Sequence, residues 1–119
     1  MLNSKAVGLV GTLGPNGAPQ VSPVWYLWEP GRLRFQVRTD YQKYKNLQRD
    51  DRISIAIVDP ENFGRYIEFR GRASISLERD DTFLAALARK YLGLDELPWE
   101  TPDGSPTITV VPERIITMG

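Results

Sequence analysis

Apolar and polar positions alternate with a period of two through most of this chain. In residues 32–38, RLRFQVR, Leu33, Phe35 and Val37 point one way while Arg32, Arg34, Gln36 and Arg38 point the other, the mark of a strand with one buried face. Residues 52–58, RISIAIV, put Ile53, Ile55 and Ile57 on one face. Residues 65–77 alternate for longer. Tyr66, Glu68, Arg70, Arg72, Ser74 and Ser76 oppose Ile67, Phe69, Gly71, Ala73, Ile75 and Leu77, and Gly71 in mid-strand predicts a bulge. Residues 6–13 read as an apolar strand and residues 19–28 as a second, with Pro23 arguing for an edge or a bulge. Gly14-Pro15-Asn16-Gly17 between them is a turn, because Asn and Gly tolerate positive φ. Glu29-Pro30-Gly31 turns the chain again, and residues 107–118, interrupted by Pro112, give a sixth strand.

Two stretches break this period. Residues 80–92 place Phe83, Leu84, Leu87, Ala88, Tyr91 and Leu92 on one helical stripe. Asp80 or Asp81 can cap this helix, Arg89 and Lys90 suit its C-terminal end, and Gly93 can close it. Such a stripe predicts a helix that covers an open end of the sheet. Residues 39–50, TDYQKYKNLQRD, are too polar for core and read as a short basic helix, with Thr39 or Asp40 available as its cap. Residues 94–106 are acidic and Pro-rich around Trp99 and read as a loop. Six strands with short turns and one or two short helices predict a mainly β fold, a small antiparallel barrel, in one domain spanning residues 1–119.

Charge adds one local feature. The chain is neutral overall, yet residues 32–52 hold seven lysines and arginines (Arg32, Arg34, Arg38, Lys43, Lys45, Arg49, Arg52) against three aspartates. Lys43 falls near the start of a helix that follows a strand, where free N–H groups and the positive end of the helix dipole are expected beside the hydroxyls of Thr39 and Tyr41. That is phosphate-site chemistry; a solvated basic face beside a turn is the plainer reading of the same charges.

Three segments in order, VGTLGPNGAPQVSPVWYLWE, LRFQVRTDYQKYKNLQRDDRISIAI and YIEFRGRASI, resemble the flavin/deazaflavin oxidoreductase family. This is the split β-barrel superfamily that includes pyridoxamine 5′-phosphate oxidase, and the chain is most similar to its F420-dependent branch. The likeness covers residues 7–76. It implies a Greek-key split barrel, a homodimer, and a cofactor lying in a groove contacted by both chains. The family pattern T-x-x-x-K-x-x-N-L, here Thr39, Lys43, Asn46 and Leu47, implies that Lys43, with Gln42, Thr39 and Arg38, holds the cofactor phosphate. Lys45, Arg49 or Arg52 would steer an anionic tail. Gln36 joins the cofactor-binding set. The V-S-P-V-W segment implies that the backbone of Ser22, Pro23 and Val24 meets the edge of the cofactor ring. Trp25 and Trp99 are the aromatic candidates for the substrate wall, a buried core role being equally open for Trp25. The chain departs from the family at its start, where a helix usually precedes the first strand and only residues 1–5 stand here, and its C-terminal part is short.

The chain has no cysteine and no histidine. Disulfides, Cys or His nucleophiles, His general bases and the usual zinc sites are thereby excluded. No catalytic side chain and no metal site are assigned, so chemistry here is carried by something bound. Coenzyme F420, passing a hydride to a small electron-poor substrate, is the leading reading; FMN on the same fold, as an oxidoreductase or flavin carrier, is the alternative. A single-stranded nucleic-acid barrel is disfavoured by zero net charge and by Asp95, Glu96, Glu100 and Asp103. Neither a membrane span nor a secretory signal is legible, which leads to the expectation of a cytoplasmic protein. Dimerisation is expected from the aromatic residues too. Alternation sends Tyr26 and Trp28 to one face of their strand and Trp25 to the other, and a partner chain is the expected cover for the second face.

Overall fold

A computed structural model describes residues 2–119; Met1, the first of the five leading residues, lies outside them. The chain runs β1 (Gly8–Leu13), a single 3-10 turn (Pro15–Gly17), β2 (Pro19–Val24), β3 (Tyr26–Glu29), β4 (Arg32–Gln36), α1 (Gln42–Arg49), β5 (Arg52–Asp59), β6 (Asn62–Ser76), α2 (Asp81–Leu92) and β7 (Thr107–Met118). All seven strands join one antiparallel sheet in the order β2-β1-β5-β6-β7-β4-β3. Its two edges, β2 and β3, are consecutive in sequence with only Trp25 between them. A sheet whose first and last strands are one residue apart must curl until its edges meet, which makes it a split barrel.

The expected count of six strands becomes seven for this reason. Residues 19–28 do not form one strand, because the half up to Val24 pairs with β1 and the half from Tyr26 pairs with β4. Pro23 lies in the edge strand β2, where a missing N–H breaks no inner ladder. The Asn-Gly turn also forms as expected, with Asn16 at φ 62° and Gly17 at φ 75°. At Gly71 the β6–β7 register slips, Arg70 facing Arg114 and Gly71 facing Pro112, so Glu113 is the extra residue of a bulge. A Cβ at position 71 would stand 2.8 Å from the Val111 carbonyl oxygen.

The inward faces of the strands fill the barrel. Val10, Tyr26, Leu33, Phe35, Ile55, Ile57, Ile108 and Val110 are fully buried, with Phe69 and Ile53 beside them. Helix α2 lays Phe83, Leu84, Leu87 and Tyr91 against Trp25, Leu27 and Leu97. Asp80 caps it by accepting from the Phe83 N–H at 3.0 Å, and Gly93 closes it in the left-handed region. An Arg34 guanidinium bonded to Glu29 and, at 2.9 Å, to Asp80 ties the β3–β4 hairpin to that cap. Helix α2 thus covers part of Trp25 within the chain itself, and the indole stays half-buried. Trp25 stacks on Tyr91, ring centroids 4.7 Å apart and 5° from parallel. Among the described residues no helix is long and apolar enough to cross a membrane.

Candidate functional site

Where β2 and β3 part at Trp25, a cleft of about 990 Å³ opens. Pro23 and Val24 from the end of β2, Trp25 itself, Gln36 from the end of β4, the Val37–Tyr41 connection, Lys43 from α1 and Leu87 from α2 line it. Leu97 and residues 99–105 form the outer wall.

Helix α1 is placed by one buried side chain. Asn46 is fully buried and donates through Nδ2 to Thr12 Oγ1 at 3.0 Å, while its Oδ1 accepts from Gln42 Nε2 at 2.8 Å and from Arg49 Nη2 at 3.2 Å. Arg49 also donates to the Leu13 carbonyl. These bonds pin α1 on β1 and fix the direction of Lys43, one turn earlier. The N-cap of α1 is Tyr41, not Thr39 or Asp40, and no side chain caps it. The helix begins two residues later than a Thr39 cap and one later than an Asp40 cap requires, and Asp40 instead takes Arg38 in a 3.0 Å ion pair. The first N–H groups of α1 therefore keep the partial positive charge of an uncapped helix start.

Lys43 is the most telling group. It is only 7% exposed, yet makes no ion pair among the described residues. Its ammonium donates to the Pro23 carbonyl at 3.3 Å and stands 5.2 Å from the Tyr41 ring centroid. Burial pushes its pKa below the ordinary lysine value. A buried ammonium with one carbonyl acceptor has donors to spare and lacks a counter-charge. The Arg38 guanidinium meets the same Tyr41 ring at 5.8 Å. Tyr41 thus gathers two cations near the uncapped start of α1, a donor set that fits a phosphate.

Of the residues expected to bind cofactor or substrate, the cleft brings together Pro23, Val24, Gln36, Arg38, Thr39, Lys43, Trp25 and Trp99. Ser22 lies one residue behind the wall, its Oγ buried without a hydrogen-bond partner among the described residues. Gln42 is turned to Asn46, and Lys45 is exposed outside the cleft. Arg49 is spent on Leu13 and Asn46, and Arg52 on Asp50 at 2.6 Å. Sequence reasoning missed the wall formed by Leu87, Leu97 and residues 100–105. Its signal was an apolar Trp99 set among Pro98, Pro102 and Pro106, which stiffen a loop. Arg79 holds that loop, donating to the Thr101 carbonyl at 2.5 Å and approaching Asp103 at 3.5 Å. Trp99 tilts at 42° to Trp25, ring centroids 5.9 Å apart.

A split barrel with a buried ammonium and an aromatic wall at its open seam offers a concave site with room for a flat ligand that carries negative charge. The family model for pyridoxamine 5′-phosphate oxidase matches residues 1–118, and the chain belongs to that family of flavin- and deazaflavin-related oxidoreductases. Among solved structures it is similar to an F420 reductase, with 31% identity over 97% of this chain and 92% of that one and a TM-score of 0.82. A conserved hypothetical protein from Mycobacterium tuberculosis shares 24% identity over 98% of this chain and 78% of its own, with a TM-score of 0.78. HupZ of Group A Streptococcus shares 24% identity over 98% of this chain and 93% of its own, with a TM-score of 0.72. These last two likenesses show the fold alone.

Proposed function

We propose that the chain is an F420-dependent oxidoreductase acting on a small electron-poor substrate. The observation that carries the reading is Lys43, a buried ammonium without a carboxylate partner among the described residues, lining the same cleft as Trp25 and Trp99. The 31% identity to an F420 reductase over nearly the whole of both chains supports the choice of cofactor. When bound, the reduced deazaflavin supplies the hydride. Everything else falls to the residues of the chain. Lys43, Arg38 and the Thr39 hydroxyl hold the phosphate, and the first N–H groups of α1 add their partial charge. The backbone at Pro23 and Val24 would border the ring, and Gln36 lines the same cleft. Trp25, Trp99, Leu87 and Leu97 exclude water and give the substrate a surface to lie on. No acid–base side chain is required at the reacting carbon. The family membership favours FMN as the second reading, because FMN needs the phosphate pocket and no tail site.

We further propose that the working unit is a homodimer, with the exposed Val21, Val111 and Ile115 at its interface. Fluorescence titration with deazaflavin, run beside an FMN titration, tests the cofactor. Saturable deazaflavin binding tighter than FMN supports the proposal; tighter FMN binding replaces it with the second reading, and binding of neither overturns both. A monomer by sedimentation at micromolar concentration with cofactor still bound would remove the dimer.

A further inference from the structure

The cleft differs in charge from one end to the other. At the α1 end stand Lys43, which has no ion pair among the described residues, and Arg38, which is paired with Asp40 of the same lining. The segment that supplies the outer wall, residues 93–106, carries Asp95, Glu96, Glu100 and Asp103 and no lysine or arginine. Glu100 and Asp103 line the cleft together with Trp25 and Trp99. Glu100 makes no ion pair among the described residues, and Asp103, with its side chain 93% exposed, meets only Arg79 at 3.5 Å. Arg79 is already held by Asp81 at 2.6 Å. Arg79 is therefore shared between two carboxylates, and with Glu100 unpaired among the described residues the wall keeps net negative charge.

Its aromatic surface is open. Trp99 is 53% exposed although it lies against a stack in which Tyr91 already covers one face of Trp25. A half-exposed indole held across the mouth of a cleft offers a ring face to a flat ligand. An aromatic face beside unpaired carboxylates attracts a cation through both its quadrupole and the neighbouring charge. The same carboxylates repel an anion over distances inside the Debye length, about 8–10 Å in ordinary buffer.

We propose that this end of the cleft selects planar aromatic substrates that are neutral or cationic and turns away carboxylated or phosphorylated ones. Trp99 is the stacking surface, and Glu100 with Asp103 sets the sign. The proposal rests on the reading of the cleft as the place where cofactor and substrate meet. It assigns the two ends different tasks: the basic end takes the anionic part of the cofactor, and the acidic wall keeps anionic molecules from occupying the other end.

Three planar two-ring probes of similar size test it by calorimetric titration at low ionic strength: N-methylquinolinium as cation, quinoline as neutral base and 2-naphthoate as anion. The cation is expected to bind about five- to tenfold tighter than the anion, with the gap narrowing in high salt. The Glu100→Gln/Asp103→Asn double variant, both positions being on an exposed loop, is expected to bring the two within about twofold. Trp99→Leu is expected to weaken all three alike. Equal or tighter binding of the anion by the unaltered protein, a gap that survives the double variant, or binding indifferent to Trp99→Leu overturns the proposal, as does failure of every probe to bind. Each titration is run on cofactor-free and on F420-treated protein. A chain that ranks the probes as expected but takes up neither F420 nor FMN fails the functional reading alone. One that takes up cofactor but ranks the probes equally fails this inference alone.

Discussion

Replacing Lys43 with methionine separates what this residue does for the fold from what it does for a ligand. Methionine keeps an unbranched stem and removes the ammonium. In the free protein that ammonium is buried, bonded to one carbonyl and pushed below its ordinary pKa by desolvation. Losing it therefore costs the fold one weak hydrogen bond and relieves a buried charge, so stability stays level or rises. The ligand side is the reverse. A charge-assisted hydrogen bond to phosphate contributes about 1.5–3 kcal/mol, which corresponds to about a 10- to 150-fold loss of affinity. Equilibrium binding by deazaflavin fluorescence and a urea denaturation curve, on the same two proteins, read both quantities. The pH dependence carries the same sign. Lys43 in the free protein loses its proton at lower pH than an ordinary lysine, and an adjacent phosphate would restore it, so affinity falls as pH rises through that lowered value. Methionine abolishes this slope. Affinity within about threefold of the unaltered protein would refute the phosphate role. A large drop in denaturation midpoint together with lost binding would show Lys43 to be structural.

Three further outcomes follow from the same geometry. Asn46→Leu leaves the buried Thr12 hydroxyl without its donor and frees Gln42 and Arg49, and should lower stability by about 1–3 kcal/mol in urea denaturation; an unchanged midpoint would mean that α1 is held by packing alone. Gly71→Ala drives a Cβ to 2.8 Å from the Val111 carbonyl oxygen and 3.3 Å from the Glu113 nitrogen, both backbone, and should cost about 1–3 kcal/mol by the same measurement unless the bulge can relax. Lys90 donates to the carbonyls of Tyr26 and Leu2 and is pushed down to about 8 by burial, against 10.5 ordinarily. Between those values the unfolded chain holds a proton the folded chain has lost, so stability should rise with pH from about 8 towards 10. Above about 10 the unfolded tyrosines ionise before the buried Tyr26 and Tyr91, which opposes the rise. A denaturation midpoint that falls between pH 7.5 and 9, or a Lys90→Met variant with the same profile, would contradict the assignment.

Local rules were enough for much of this fold. The alternation at Leu33, Phe35 and Val37 depends only on one face being wet, and all three are buried. Asn16 and Gly17 take positive φ because their own side chains permit it, and Asp80 and Gly93 end α2 by bonds within one turn. The failures, apart from the local one at Asp40, are tertiary. Pro23 signals an edge or a bulge, but nothing in VWYLW marks a strand break at Trp25, because the break comes from sheet closure, in which the two halves of the segment become opposite edges and pair with different strands. Asp40 looked like a cap until Arg38 was available to it. The outer wall depends on Arg79 reaching Thr101 across more than twenty residues, which no local pattern records. Asn46 could be quoted as a motif position from the sequence, but its work, three hydrogen bonds joining α1 to β1 and itself, appears only once Thr12 is beside it.

The site and the strand break share one cause. A closed barrel needs each edge to find a partner, but β2 and β3 are one chain and part at Trp25, so β2 pairs only with β1 and β3 only with β4. That seam leaves the Pro23 carbonyl free to accept from Lys43. Pro23 itself brings no N–H, so the seam presents acceptors without exposing an unpaired donor at that residue. The indole of Trp25 cannot follow Tyr26 into the core and turns the other way, onto Tyr91 of α2. One residue thus ends a strand, docks the covering helix and forms the wall of the cleft. Mutating Trp25 would for that reason disturb fold and ligand binding together, whereas Lys43 and Trp99, which hold no sheet or helix in place, are the positions at which binding can be altered with the barrel intact.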